Sequence, residues 1–421
     1  MTIFGTVWLM LLFAAIIKNK KKMLVTLVLF SSIFQSSNVV SFGGQGIGPQ
    51  VITSGIVSVY FLLPKIKKLK LHVSKSIFTP QKMLIILLLY IIFNSIYAGT
   101  LGVKLLGVAQ LAVYILCFAA MESAGQYLDD EYTYYTLRKM SVFVLVVGVV
   151  QVLATTNIIP RYWFIRDIFW NDGVNNPDVV QFMWPGSYFR FFSTYMEPSY
   201  FVGFSLGAMF YFINHRKKRK DNILLIGALG IATLLSFSSA GYGALLLTII
   251  IYMALSKDGK MKFTILIGGL IGFSILYFGF YNILDSVIFS KMSSGSAAAR
   301  MGWDRVAIEM FQSSPIFGNG YKSCRASSLY YTILAELGIV GFVLYILFIF
   351  SIVLPTLTKK RQKKAGDDQV CIIFAIIAVV ATQMIAVPDF DICTFWMWMN
   401  FLALIYGRNN RRRRENEIAK E

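Results

Sequence analysis

The 421 residues predict an all-α polytopic integral membrane protein, and three observations carry that expectation. Hydrophobic residues make up 57% of the chain and charged residues only 14%, with a mean hydropathy of +0.64, far from the average of a soluble globular protein. Apolar runs of roughly membrane-spanning length recur about thirteen times (12 to 14 by where the short ones are divided). Each Lys/Arg cluster (Lys18 to Lys22, Lys65 to Lys70, Arg138 and Lys139, Arg216 to Lys220, Lys257 to Lys262, Lys359 to Lys364, Arg408 to Arg414) sits at the end of such a run, and a single threading places all of them on one side. By the positive-inside rule that side is the cytoplasm.

Taken in order, the spans are expected near 3–17, 23–40, 51–63, 83–99, 105–121, 141–156, 199–213, 223–237, 241–255, 263–283, 331–353, 370–387 and 394–406. The result is one membrane domain over 1–421, with its N-terminus outside and a basic cytoplasmic tail at 408–421. The first run, Ile3 to Ile17, lacks a basic region before it and a small-residue cleavage site after it, so it reads as a retained span. The stretch Ile223 to Leu255 decides the count. Read as one helix it would place Lys359 to Lys364 and Arg411 to Arg414 outside, so a hairpin is expected, broken at Ser236 to Gly243. Segment 122–140, where tyrosines alternate with charges, reads as an amphipathic helix on the inner surface.

A net charge of +19 raises the question of nucleic acid, but most of the 40 Lys and Arg fall inside while the outer side is balanced. The basicity is topological, and no nucleic-acid partner is expected. The four cysteines show no metal-ligand spacing, and no disulfide is expected.

Two outward loops are long, 157–198 and 284–330, and both are too rich in aromatic and apolar residues for disorder. The first carries Arg190 and Glu197 among aromatics that include Trp184 and Tyr188; the second carries Arg300, Asp304, Arg305, Glu309, Lys322 and Arg325. Both histidines, His72 and His215, fall on the cytoplasmic side, so an outward site has no imidazole for a triad, a zinc or a base. Neither a Walker A sequence nor a GxGxxG fingerprint is present. Ionisable residues are nearly missing from the spans, Glu336 being the clearest exception, which lowers the case for a coupled transporter. Glu336 itself reads as a packing or hydrogen-bonding group at a helix interface. What remains is an Arg-rich, aromatic outer site. Arginine forks match phosphate oxygens and flat rings suit sugars, which fits a lipid-linked sugar diphosphate. Asp389-Phe390-Asp391 has the form of a DxD metal site, a tripeptide common by chance, and no metal ion or other cofactor is expected.

Three segments resemble the Wzy-type polysaccharide polymerase and O-antigen ligase superfamily. Arg190 to Gly203 (RFFSTYMEPSYFVG) is similar to the family's Arg followed by a Pro-containing turn into a helix. Leu234 to Leu245 (LLSFSSAGYGAL) resembles its Ser-rich break between two short helices. In Arg300 to Tyr345, the pieces Pro315-Ile316-Phe317-Gly318-Asn319-Gly320 and Leu334-Ala335-Glu336-Leu337-Gly338 look like the hallmark "PifGxG … LaExG" pair. Together the segments cover about a sixth of the chain. Ligase-type members carry His-Asn where this sequence has Ser327 and Ser328, which favours the polymerase branch.

The resemblance implies a GT-C-like fold in a bacterial cytoplasmic membrane and an inverting, metal-independent glycosyltransferase with its active site facing outward. Such an enzyme moves a growing glycan from undecaprenyl diphosphate onto the next lipid-linked repeat unit, building a capsule, O-antigen or exopolysaccharide. In that scheme Arg190 and Arg305 act catalytically on the diphosphate. Glu197 orients or deprotonates the acceptor hydroxyl. Arg300, Arg325, Lys322, Trp184 and Tyr188 bind diphosphate or sugar. The implied partners are the undecaprenyl-diphosphate-linked oligosaccharide, membrane lipids, a chain-length regulator and a flippase. Two other functions stay open, ligase-like transfer to another acceptor and a lipid-linked oligosaccharide flippase.

Overall fold

The computed structural model describes the chain except residues 1, 43–44, 67–77, 130, 156–157, 159–189, 216–217, 219, 257, 280, 282–294, 358–365 and 420–421. The described residues form an all-α bundle. Its helices are α1 (Ile3–Ile17), α2 (Lys21–Ser31), α3 (Pro49–Ile66), α4 (Pro80–Tyr97), α5 (Leu101–Gly125), α6 (Tyr132–Thr155), α7 (Pro198–Asn214), α8 (Ile223–Leu235), α9 (Ser239–Leu255), α10 (Gly259–Gly279), α11 (Gly295–Ser313), α12 (Leu329–Val353), α13 (Asp367–Ala386) and α14 (Cys393–Ile418). One antiparallel ribbon, β1 (Val40–Phe42) with β2 (Gln45–Ile47), joins α2 to α3, with Val40 opposite Ile47. Among these, α4, α5, α6, α10, α12 and α13 are long and apolar enough to cross a membrane; α1, α3 and α9 are apolar but shorter. This is the architecture of an all-α membrane protein.

Local signals start the helices where side chains can satisfy the free N–H groups of a first turn. Thr2 accepts from Gly5 N, Thr79 from Lys82 N ahead of Pro80, and Ser238 from Gly241 N. Pro198 opens α7 in the same way, since a helix's first residue has no use for an N–H. The centre of the bundle is α13, which packs against α7 and α9. Beside it α14 lies close on α5, where a Cβ on Gly407 would meet Glu122 O at 1.9 Å and one on Gly125 would meet Leu404 O at 2.2 Å, so only small residues let the backbones approach.

Charged contacts gather at one end of the bundle. Lys22 Nζ lies 2.9 Å from Asp129, Arg408 donates to Asp129 O at 3.0 Å and pairs with Asp368 at 3.3 Å, and Arg411 donates to Gln126 O at 2.9 Å. Lys218 pairs with Glu131, and His215 lies 3.5 Å from Asp368. Lys22 and Lys218 hold Asp129 and Glu131 below the usual carboxylate range by direct hydrogen bonds. The other end collects the loops around 190–197, 236–238, 314–328 and 387–392.

Contacts along α7 fix the directions of α8 and α9. Ser205 meets Leu229 and Thr233 of α8, whereas Val202 approaches Gly241 and Phe210 stacks near Tyr252 of α9. The two helices therefore run in opposite directions against α7, reversing at Ser236–Ser238. One expectation needs correction. Segment 122–140 is no surface helix: α5 runs to Gly125 and α6 starts at Tyr132. Its tyrosines are spent on neighbours, Tyr132 Oη on Thr26 Oγ1 at 2.7 Å and Tyr134 Oη on Asn222 Oδ1 at 3.1 Å. Within the long connection 284–330, residues 295–313 form α11.

Candidate functional site

The site is built around a break in α12. At Gly338 the backbone takes φ 64° and ψ −168°, a conformation essentially restricted to glycine, and the intrahelical ladder stops. The segment Pro315 to Gly320 replaces the lost bonds. Asn319 N donates to Ala335 O at 3.1 Å and Gly320 N to Glu336 O at 2.9 Å, while Ile339 N donates to Pro315 O at 2.9 Å and Val340 N to Ile316 O at 3.2 Å. The contact is backbone on backbone. A Cβ on Gly318 (φ 79°) would lie 2.3 Å from Glu336 O, and one on Gly338 would lie 2.3 Å from Ile316 O. From α4, Tyr90 Oη donates to Leu337 O at 2.7 Å and Asn94 Nδ2 donates to Phe317 O. The irregular backbone of the break is thus satisfied by protein groups from two other segments.

Glu336 is 3% exposed, and its Oε1 accepts from Cys324 N at 3.3 Å. Just before Cys324, Lys322 takes a left-handed φ of 61°, uncommon for a residue with a side chain. Its ammonium lies 2.7 Å from Asp391 Oδ1 and 3.4 Å from Asp389 Oδ1. Burial alone would lower the Lys322 ammonium, but the two aspartates raise it above its ordinary value. The DxD-like pair thus holds a lysine where a metal was weighed, and among the described residues no cluster of three or more His, Cys, Asp or Glu stands ready to ligate an ion. Asp304 of α11 ties down the rest of the loop, accepting from Ser327 N at 2.8 Å and from Ser327 Oγ at 2.7 Å. Arg325 lies 5.4 Å over the Trp303 ring.

A second wall comes from 190–200. Arg190 Nε donates to Ser236 O at 3.1 Å and Phe191 N to Leu235 O at 2.9 Å, so this segment caps the C-terminal end of α8 at the Ser-rich break. Cationic donors at a helix C-terminus are favourable. Ser193 sits at φ 53°, held by Gln151 Oε1 on its N–H and by Val144 O on its hydroxyl. Burial lowers the Arg190 guanidinium to about 10; Glu197 opposes that shift and Arg300 adds to it. Arg190 is still fully charged at neutral pH.

These walls enclose a cavity of about 540 Å³, the size of small-ligand sites. Of the residues singled out from sequence, Glu197, Lys322 and Arg325 line it. Arg190, bonded to Ser236 O, is not among the lining residues, and both Glu197 and Arg300, half-buried near the start of α11, act on it electrostatically. Arg305 is not brought there: its side chain is 83% exposed and pairs with Glu309 one turn along α11 at 3.1 Å. Trp184 and Tyr188 lie outside the described residues. Sequence reasoning missed Tyr200, Tyr321, Tyr345 and Asp389 as lining groups; Glu336, read as a packing or hydrogen-bonding group, does accept a hydrogen bond and also lines the cavity. The one signal for Glu336 was its charge inside an apolar run. Since an exposed i,i+4 pair contributes about 0.3–0.5 kcal/mol, Arg305→Ala is expected to leave thermal stability within about 0.5 kcal/mol of wild type, and activity close to it, in contrast to Arg190→Ala.

No protein-family model and no curated protein matches this chain.

Proposed function

We propose that the protein is a membrane glycosyltransferase that polymerises undecaprenyl-diphosphate-linked repeat units on the outer face of a bacterial cytoplasmic membrane. The observation that carries the reading is the joining of Pro315–Gly320 to the α12 break at Leu334–Gly338. These two pieces resemble one family's paired hallmark, and here they bond to each other directly and set Glu336 into a cavity. The other two resembling segments meet through Arg190 and Phe191, and Glu197 brings them to the same cavity. A thirteen-pass topology with the basic end inside goes with this reading; it counts the shorter helices as spans and puts the cavity outside.

In this scheme the acceptor hydroxyl oxygen bonds to the anomeric carbon as the bond from that carbon to the diphosphate oxygen breaks. The hydroxyl proton passes to a carboxylate, with Glu197 the candidate, and the electron pair leaves with the lipid diphosphate. Arg190 and Arg300 offset the charge that develops there, and most of the acceleration comes from positioning and electrostatics. Glu197 suits the role by place, since it lines the cavity and its charge acts on Arg190.

The test is reconstitution with lipid-diphosphate-linked repeat units from the host, read as a product ladder. Wild type should give a ladder, and Arg190→Ala and Glu197→Gln should each slow it on the order of 10² to 10³-fold. Folded protein that yields no ladder from the authentic substrate overturns the reading.

A further inference from the structure

The loop cations differ in what holds them. Lys322 is engaged by Asp389 and Asp391, Arg305 by Glu309, and Arg190 Nε by Ser236 O. Arg325 lines the cavity and is exposed, yet among the described residues no carboxylate pairs with it. Its guanidinium is held in place all the same. It lies 5.4 Å over the Trp303 ring of α11, and Asp304, the next residue of that helix, commits both carboxylate oxygens to Ser327, two residues beyond Arg325. The fork is thus positioned without being neutralised. The rest of the lining says which anion it suits. Glu197 acts on Arg190 and Asp389 on Lys322, so each has its own cation, but both remain negative charges on the walls. A diphosphate entering here would set more than one charge against them for a single unpaired guanidinium, and like charges brought together are costly. One carboxylate matches one guanidinium fork, two oxygens on two N–H donors. Met196, Leu329 and Phe390 give the same cavity an apolar wall, which suits a ring that carries the charge.

We infer that Arg325 is a specificity-determining residue that binds the carboxylate of an acidic sugar in the repeat unit, with the sugar ring against the apolar wall of the cavity. The inference rests on the glycosyltransferase reading and names its substrate class, a glycan that carries a uronic acid or a comparable acidic sugar. The lipid diphosphate stays with Arg190 and Arg300, neither of which lines the cavity. Trp303 and Asp304 set the place of Arg325 and of its loop.

Binding can be measured without turnover. Saturation-transfer NMR on the full-length protein in lipid nanodiscs would compare methyl β-D-glucuronide and methyl α-D-galacturonide with their uncharged counterparts, methyl β-D-glucoside and methyl α-D-galactoside. Inorganic pyrophosphate would be titrated separately. At least one uronide should bind wild type about tenfold more tightly than its neutral counterpart, a factor within reach of one charge-assisted contact. Arg325→Ala should abolish that preference and leave pyrophosphate affinity unchanged. Arg325 is exposed, so the variant is expected to keep its fold, which thermal unfolding checks. No uronide bound to wild type, a uronide bound no better than its neutral counterpart, a preference that survives Arg325→Ala, or pyrophosphate weakened by that variant would each overturn the assignment. The two readings fail separately. A uronide preference without any product ladder keeps the acidic-sugar site and removes the polymerase, while a ladder built from repeat units that lack acidic sugars does the opposite.

Discussion

Gly338→Ala is expected to destabilise the protein by roughly 2–6 kcal/mol and, on the glycosyltransferase proposal, to abolish polymer formation. The strain of a side chain in that backbone region costs about 1–3 kcal/mol by itself. The added Cβ would also sit 2.3 Å from Ile316 O and 2.7 Å from Gly318 N, both backbone atoms that no rotamer change can move aside. The two segments must separate, and the bonds from Gly320 N to Glu336 O and from Ile339 N to Pro315 O go with them, each worth about 0.5–1.5 kcal/mol net. Thermal unfolding in detergent reads the cost. Gly318→Ala strikes the same contact from its other side, with Cβ 2.3 Å from Glu336 O. The double variant should therefore cost clearly less than the sum of the singles, because one separation relieves both clashes. Gly302→Ala on α11 is the control. Nothing lies within 4 Å of its Cβ, and a neutral or slightly stabilising change is expected.

The glycines also show where the sequence was legible. Each half of the pairing, Pro315–Gly320 and Leu334–Gly338, stood out alone, yet nothing in either half says that its backbone bonds to the other. Local patterns carried further. Basic clusters at the ends of apolar runs anticipated a common end for Lys22, Lys218, Arg408 and Arg411, and the same charge bias anticipated the reversal between α8 and α9. Secondary structure inside the long connections was less legible. Within the long connection 284–330 the helix over 295–313 sets Arg305 against Glu309 four residues on, a pairing that the spacing allows but only the helix makes definite. The ion pairs of Lys322 were not legible for a deeper reason. Its partners Asp389 and Asp391 are 67 and 69 residues away, and a bridge between two loops leaves no local mark on either.

Lys322→Met is the variant in which that bridge shows its worth, with an expected loss of about 3–5 kcal/mol, the usual cost of stranding one member of a buried ion pair. Asp391 is the reason for the size: its side chain is only 8% exposed, and without the ammonium it faces Asp389 with no compensating charge. Asp389 is 43% exposed and can turn to water, so it contributes little to the loss. Removing the stranded charge should then repair the damage, and Lys322→Met/Asp391→Asn is expected to recover most of the stability in thermal unfolding. Activity separates two roles for the lysine. A phosphate contact would be lost in the double variant as in the single, leaving a stable protein without a ladder. A lysine whose charge is taken up by Asp389 and Asp391 acts only by holding the 387–392 loop against the cavity, and the ladder should return together with the fold. Recovery of both is the outcome expected from the 2.7 Å and 3.4 Å contacts, because an ammonium held between two carboxylates has little charge left for a diphosphate.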